Sequence, residues 1–573
     1  MKKWLKGLGM LAFVAVFALA LVGCGDDTDD GGTTDDNGYE NGEEVALDGD
    51  IEALLAEFDL PAPRFTPDPN TPSWQTDYDH FVELTWYVNM IWWPAHSMGD
   101  SWVTQVMMDD LNVHIEFISG NMDNLNTMIM AGEMPDIITM ESWAFDLVNH
   151  AYEFALPLDV LSTVYDPYFL EHVLHPQKQS WFTMDNGHIY GIPNEAMTSD
   201  LINAGYAFPG AGFLVRQDIY EAIGSPDMST PEGFLDALRA AVAYMPTDNA
   251  GRPLVGFSGD FMDILANNNG SFGWNLQDFL AIPVQNADGT WYDRDVHPEY
   301  LEWLLVFRQA MYEGLMTPDQ FSDDNETIND RFASGNYFAY MTPNTNDVAS
   351  RLNIIANSDH PEQMMIPIYG PRNQAGDDHT LPAGGINGWT HTFISQQTTD
   401  PQAAMQVITY LSSEHGQIIQ QFGIEGETYE YIDGVPTLLP DIQEYLTTDY
   451  YGFRYEWGIR TFWMLRNSGF INSLGVLPTG PHGEVAIFYS QFNEARLEFI
   501  NLDPTDGQLQ RDNENLDLAR SQAIVEVLTA DSDAEGTQIW EDFLASRADF
   551  DFEAITAYRN ERLNENRARL GLD

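Results

Sequence analysis

The sequence predicts an α/β fold of at least two lobes, and three observations carry that expectation. Strand patterns and helix patterns follow one another along the chain. Roughly 500 residues have globular composition, more than one core usually organises. The chain holds a single cysteine, so no intramolecular disulfide or cysteine-based zinc site can substitute for a packed core.

The strands come first. Phe81–Val88 alternates Val82, Leu84, Trp86 and Val88 with more polar neighbours, a period of two. Val113–Ile118 and Asp136–Met140 are further strand candidates. Helical signals follow. Thr230-Pro231-Glu232 supplies a cap, a first-turn proline and an acid ahead of Phe234, Leu235, Leu238 and Val242. Asp400-Pro401 repeats the device before Ala404, Val407, Ile408 and Leu411. Tyr300, Trp303, Leu304, Phe307 and Met311 share one helical face that Gly314 ends. Asp288-Gly289-Thr290 between apolar flanks reads as a hairpin turn. No internal repeat is apparent.

Ahead of the first strand stand Lys2, Lys3 and Lys6, then an apolar run from Leu8 to Val22. A membrane-spanning helix needs about 20 apolar residues, so this run reads as a signal peptide over 1–23. Leu21-Val22-Gly23-Cys24 resembles the bacterial lipobox, which implies lipid attachment to Cys24. An ordinary signal peptide with a chance cysteine, or an uncleaved anchor, is the plainer alternative. Asp26–Asp50 is rich in Asp, Glu, Gly, Thr and Asn. Such a segment buries too little apolar surface to offset its ordering entropy. The stretch 24–75 is therefore expected to be a disordered tether.

The chain carries 89 acidic residues against 24 Lys plus Arg, a net charge of −65. Lys178 is the one lysine beyond the signal peptide. Nucleic acid is disfavoured as a partner, because phosphate binding needs basic patches. The acidity runs the whole length, which suits an exposed protein in salty or alkaline surroundings; an acidic surface for cationic ligands is the alternative. Aromatics make up 13% of the chain and include 15 Trp. A core can absorb many of them, but aromatic faces also stack on the C–H faces of sugar rings.

Five blocks resemble one family. They are "DNGHIYGIPNEA" (185–196), "GFLVRQDIYEAIGSPDMSTPEGFLDAL" (212–238), "MYEGLMTPD" (311–319), "FASGNYFAYM" (332–341) and "FGIEGETYEYIDGVPTL" (422–438). In this order, after a lipobox, they resemble the family 1 extracellular solute-binding proteins of the long lipoprotein branch. Asn186-Gly187-His188 departs from that family's Asp-Gly-Lys, and Asn336-Tyr337 from its Gly-Lys strand. Both departures leave ligand identity open. The resemblance implies a periplasmic-binding-protein type II fold, two α/β lobes with a ligand cleft and a hinge of two or three crossings. It places lobe 1 over 76–200 with a return over 326–375. Lobe 2 then covers 201–325 and 376–573, including the C-terminal helices. The implied partners are a carbohydrate, the permease subunits of an ABC importer and, through Cys24, membrane lipid. A monomer facing the outside of the cell or the periplasm is expected, without cofactor or metal.

In such a fold the loops after strands line the cleft. Trp92 and Trp93 follow the first strand, as sugar platforms or as a hydrophobic plug. Glu141 and Trp143 follow the third; Glu141 offers two oxygens to sugar hydroxyls, or is only a helix-start acid. Asn194 and Glu195 are hinge or ligand residues. Arg216 binds a ligand oxygen or only pairs with Asp218. Trp274 and Trp389 sit among glycines that permit close backbone approach to a ligand. Tyr340 ends the 332–341 block, a further aromatic candidate. Arg454, Trp457, Arg460 and Trp463 recur at spacings that suit one helical face, where core packing is favoured.

Catalytic signatures are missing. Glu425 and Glu427 belong to a hairpin block, and chance carboxylate pairs abound among so many acids. The 13 His form no HExxH, "NADGTWYDRD" (286–295) lacks EF-hand order, and no Gly-x-Ser-x-Gly or P-loop occurs. A carbohydrate-binding lipoprotein of an importer is the leading expectation. A surface-anchored glycan-degrading enzyme and a sensory binding protein are the alternatives.

Overall fold

The computed structural model describes residues 49–76, 80–93, 99–259, 272–342 and 345–572. The signal peptide and Cys24 lie outside them. The strands in chain order are β1 (Val82–Val88), β2 (Val113–Ser119), β3 (Ile137–Glu141), β4 (Gly191–Pro193) and β5 (Gly212–Arg216). Then come β6 (Val255–Gly259), β7 (Tyr337–Thr342), β8 (Met365–Pro367), β9 (Leu381–Pro382) and β10 (Thr390–Ile394). The hairpin β11 (Tyr429–Ile432) and β12 (Val435–Leu438) and the short β13 (Asn493–Glu494) complete them.

Two sheets organise the fold. The first has the order β2-β1-β3-β10-β4. Its β1 runs parallel to β2, with Val82 opposite Val113, and parallel to β3, with Trp86 opposite Ile137. The late strand β10 is antiparallel to both β3 and β4. The second sheet has the order β6-β7-β5-β8, with β7 parallel to β6 and antiparallel to β5. Each sheet has its own core. The first gathers Trp86, Val88, Ile115 and Ile137 with Val407, Ile408 and Leu411 of helix Pro401–Ser412. The second gathers Phe213, Phe257 and Tyr340 with Trp303 and Phe307 of helix Pro298–Tyr312 and Trp540 near the C-terminus. This is the two-lobed α/β architecture expected. The helix starts hold as read: Thr230 accepts from the Gly233 amide at 3.2 Å, and Asp400 from the Ala403 amide at 2.9 Å.

Two boundaries differ from expectation. The segment 326–375 does not return to the first lobe, because β7 and β8 both pair with β5 in the second sheet. Nor does 376–573 belong wholly to the second. β10 lies in the first sheet, and residues 403–471 contribute to the first core. Strand pairing is non-local, so nothing in the local pattern disclosed it. The chain passes from the first core to the second after β4, returns before β10, and crosses again between Ile471 and Val485. A small cluster of Trp181, Met197, Ile202, Ala207, Ala383, Ile386, Leu497 and Leu570 packs the first two of these passages together.

Of the stretch 24–75 expected as a tether, residues 24–48 lie outside the described residues and 49–75 are folded. Gly49–Glu57 is a helix whose Ile51, Leu54 and Leu55, with Phe58 and Leu60 beyond, pack on the first core. Farther along, the Tyr165 hydroxyl donates to Pro61 O at 2.7 Å, Arg64 pairs with Asp400 at 2.6 Å, and the Ser73 hydroxyl donates to Asp166 at 2.6 Å. The segment 49–75 is therefore part of the folded body.

Candidate functional site

The carboxyl ends of β1, β2 and β3 frame a cavity of about 360 Å³. Asn89, Met90, Ile91 and Trp92 line it from the turn after β1, Gly120 to Asp123 from the turn after β2, and Glu141 from the end of β3. Parallel strands bring these turns to one edge, which is where α/β sheets hold ligands. Gly120 is required there: a Cβ would stand 2.3 Å from the Tyr87 hydroxyl. That hydroxyl donates to Asn121 O at 2.7 Å, and burial together with the Glu141 charge pushes its pKa up to about 12. Asn89 is buried and donates to Glu141 at 2.6 Å, while its Oδ1 has no hydrogen-bond partner among the described residues. A buried unpaired acceptor is costly unless something else donates to it.

The turn after β1 separates the adjacent tryptophans. Trp93 is 1% exposed and meets Phe117 edge-on at 5.5 Å, so it is the hydrophobic plug. Trp92 is 61% exposed and stacks on Trp463, with centroids 5.6 Å apart and planes 20° apart. Trp389 stacks on the other face of the run, 4.6 Å from Trp463 at 14°. Three indoles thus form one stack beside the cavity, drawn from the turn after β1, the residue before β10 and the segment after helix Tyr450–Trp457.

Backbone clips hold the stack. The Ser142 amide donates to Trp389 O at 2.9 Å. Asn194, fully buried, donates through Nδ2 to Trp463 O at 3.1 Å and accepts at Oδ1 from the amides of Trp389 (3.1 Å) and Thr390 (2.9 Å). Its side chain is thus spent on the crossing and not on a ligand. Gly388, at φ 63°, makes the approach possible, because a Cβ there would stand 1.9 Å from Asn194 O. The glycines before Trp389 therefore admit neighbouring backbone. Glu195 donates its amide to Arg466 O at 2.7 Å, accepts from the Ser468 amide at 3.1 Å and lies 3.2 Å from the Arg466 guanidinium. It too is a crossing residue, though its carboxylate stays partly exposed.

Other expected site residues stand elsewhere. Arg216 is buried in the second lobe, paired with Asp218 and donating to Gly335 O at 2.5 Å. Tyr340 is fully buried in the second core, with the Arg351 guanidinium 3.1 Å from its hydroxyl. Its ring packs against Phe332 at 5.0 Å and Tyr337 at 5.3 Å within that core. Trp274 covers the Arg520 guanidinium at 4.0 Å, closing the Arg520–Asp295 pair of the second lobe. Trp143 is 60% exposed just beyond Glu141. The structure thus gathers Trp92, Glu141 and Trp389, with Trp143 close by in sequence, and adds Asn89 and Trp463. A lone Asn after a strand carries no sequence signal. The spacing of Trp463 suits a helical face, but Gly458 at φ 71° ends that helix, and the ring packs at the edge of the first core against Trp92 and Trp389.

Among the described residues no three His, Cys, Asp or Glu side chains converge to hold a metal. No described helix is long and apolar enough to cross a membrane. What the site offers is flat aromatic area, the carboxylates of Glu141 and Asp123 and amide groups: the means to hold a ring by stacking and its hydroxyls by hydrogen bonds.

No protein-family model matches the chain. An extracellular solute-binding protein from Bifidobacterium longum subsp. infantis superposes with a TM-score of 0.61 at 14% identity, over 86% of this chain and 100% of that one. The fold is that of an extracellular solute-binding protein. A second solved structure, the S. pneumoniae ABC-transporter substrate-binding protein FusA in complex with kestose, has a TM-score of 0.60 at 15% identity. It covers 85% of this chain and 99% of that one. In sequence, Lipoprotein LipO of Bacillus subtilis (strain 168) is 24% identical over 326 residues. That match spans 55% of this chain and 61% of LipO, less than two thirds of the relative. In the solute-binding fold the cavity and the indole stack lie at the strand ends of the first lobe, next to the crossings.

Proposed function

We propose that the protein is a lipid-anchored extracellular receptor that captures a carbohydrate and delivers it to the membrane subunits of an ABC importer. The observation that carries this reading is the stack of Trp92, Trp463 and Trp389 beside a polar cavity. Trp92 and Trp389 offer their rings to the sugar, with Trp143 able to add a further face. Glu141 and Asn89 take hydroxyls. Asn194 and Glu195 hold the crossing on which the lobes close. The kestose complex of a protein with this fold supports a saccharide ligand, and the LipO match supports a lipid on Cys24. No cofactor is required, and the reading is of a binding protein and not an enzyme.

The test is a fluorescence titration of the mature protein with oligosaccharides. A binding sugar should change indole emission, since stacked rings lose solvent. Trp463→Ala should weaken binding by on the order of 1–3 kcal/mol, the value of burying such a side chain, or roughly tenfold to a hundredfold in Kd. Full affinity in that variant, or turnover of the sugar by pure protein, would sink the reading. Cys24→Ser should release the protein from membranes or leave its precursor unprocessed.

A further inference from the structure

The cavity at the ends of β1, β2 and β3 is lined by two carboxylates, Glu141 and Asp123, and by no Lys, Arg or His among the described residues. Glu141 takes the Asn89 amide at one oxygen, 2.6 Å away, and Asp123 makes no side-chain hydrogen bond or ion pair among the described residues. In a chain with 89 acids and 24 Lys plus Arg, unpaired carboxylates are ordinary, so these two alone carry little. Asn89 carries more. It is 4% exposed, it lines the same cavity, and its Oδ1 has no hydrogen-bond partner among the described residues. Glu141 fixes which way this amide points: turned over, Asn89 would set its oxygen against a carboxylate, acceptor against acceptor. A buried acceptor held empty in this way is costly until a donor arrives.

The rest of the lining decides what kind of donor suits it. The start of helix Met122–Ala131 adds positive field at the rim, but Asp123 stands in that first turn and opposes it. The helix cap is already engaged, since Asn121 and Asn124 exchange bonds of 3.1 and 3.2 Å. The exposed indole of Trp92 borders the same cavity, and an aromatic face attracts a cation through its quadrupole. A sugar hydroxyl brings one proton and no charge. An acetamide brings one proton and a carbonyl that would meet acceptors. A carboxylate would meet two groups of its own sign. An ammonium brings three protons and a charge that both carboxylates and the indole favour.

We propose that the saccharide bound here is an unacetylated amino sugar, and that its ammonium enters the strand-end cavity, donating to Asn89 Oδ1, Glu141 and Asp123 beside Trp92. This rests on the carbohydrate reading above. It gives the empty oxygen of Asn89 its donor and the two lining carboxylates their counter-ion.

The mature protein is titrated with three oligosaccharides of one length and linkage that differ only at the second carbon. A cello-oligosaccharide carries a hydroxyl there, a fully deacetylated chitosan oligosaccharide an ammonium, and a chitin oligosaccharide an acetamide. Spermidine serves as a cation without a sugar. Calorimetry and indole emission are the readouts. The chitosan oligosaccharide should bind about tenfold or more tightly than the other two, one per protein, and added salt should weaken it most. Glu141→Gln and Asp123→Asn should each reduce that preference; Asp123 is exposed, so its variant serves if Glu141→Gln does not fold. Glu526→Gln, an exposed acid on helix Gly507–Thr529 of the second lobe, should leave the preference intact. An equal loss in Glu526→Gln would show general attraction to the acidic surface and overturn the inference. So would a preference untouched by both cavity variants, or spermidine bound as tightly as the chitosan oligosaccharide. Equal or tighter binding of the neutral sugars, lost in Trp463→Ala, would overturn the amine and leave the carbohydrate reading standing. Silence towards every saccharide would overturn both.

Discussion

Lys178, the one lysine beyond the signal peptide, is buried in helix Pro176–Phe182 beside the crossing. Burial draws its pKa from 10.5 down to about 8, against the opposing pull of Glu195 and Asp200. The folded protein releases this proton near pH 8 and the unfolded chain near 10.5. Between those values the unfolded state binds more protons, so stability from this group rises with pH across the window. Below pH 8 the fold carries a buried ammonium. Lys178→Met should therefore be more stable than the parent at pH 7, by on the order of 3 kcal/mol. The gap should close towards pH 10.5, and denaturant melts of the two proteins at pH 7, 9 and 10.5 measure it. A gap that does not depend on pH would mean that Lys178 is not desolvated. Single residues were also where the sequence misled. Trp92 and Trp93 were indistinguishable as neighbours in a loop, and a turn sends one into the core and one into solvent. The family blocks point to Tyr340 and Arg216 as site residues, yet both belong to the second lobe's interior. Glu141 is legible as the residue that follows the Asp136–Met140 strand candidate, and Trp389 from its glycine neighbours, of which Gly388 admits the Asn194 backbone.

At the scale of elements, helix Gly49–Glu57 shows how composition can hide a pattern. Its surroundings are acidic, so the whole region read as tether. Yet Ile51, Leu54, Leu55 and Phe58 stand at i, i+3, i+4 and i+7, one apolar helical face, and they pack on the first core. Removing this element should uncover that core. A version of the protein beginning at Pro63 should melt several degrees below one beginning at Leu47, a loss of about 3–5 kcal/mol for the half-buried apolar side chains involved. Equal melting temperatures would show that the helix contributes nothing. The strand candidates 81–88, 113–118 and 136–140 match β1, β2 and β3 to within a residue at each end, the first from its alternation. Their partners were not: β10 arrives from far along the chain to join β3, and β7 to join β5. Alternation reports which face of a strand is buried but not which strand lies beside it.

The whole molecule carries a charge of −65, and this sets its relation to salt. Local pairs such as Arg520–Asp295 and Arg496–Asp278 compensate a minority of the carboxylates. The remainder repel one another over a Debye length that grows from about 3 Å at 1 M to about 30 Å at 0.01 M. The melting temperature should fall as salt is withdrawn across that range, and a flat response in calorimetry would refute net repulsion. Two lobes and an α/β class were legible at this scale from length and alternation; the path of the chain between the lobes was not. The position of helix Gly49–Glu57 on the folded body also has a kinetic meaning once Cys24 is held in the membrane as proposed. Roughly 25 residues at about 3.4 Å each allow a reach of at most about 85 Å. A hemisphere of that radius encloses about 10⁻²¹ L, so one receptor meets a neighbouring importer at an effective concentration on the order of 1 mM. Docking can then be weak and still frequent, and a receptor that has unloaded its cargo can leave as readily as it came.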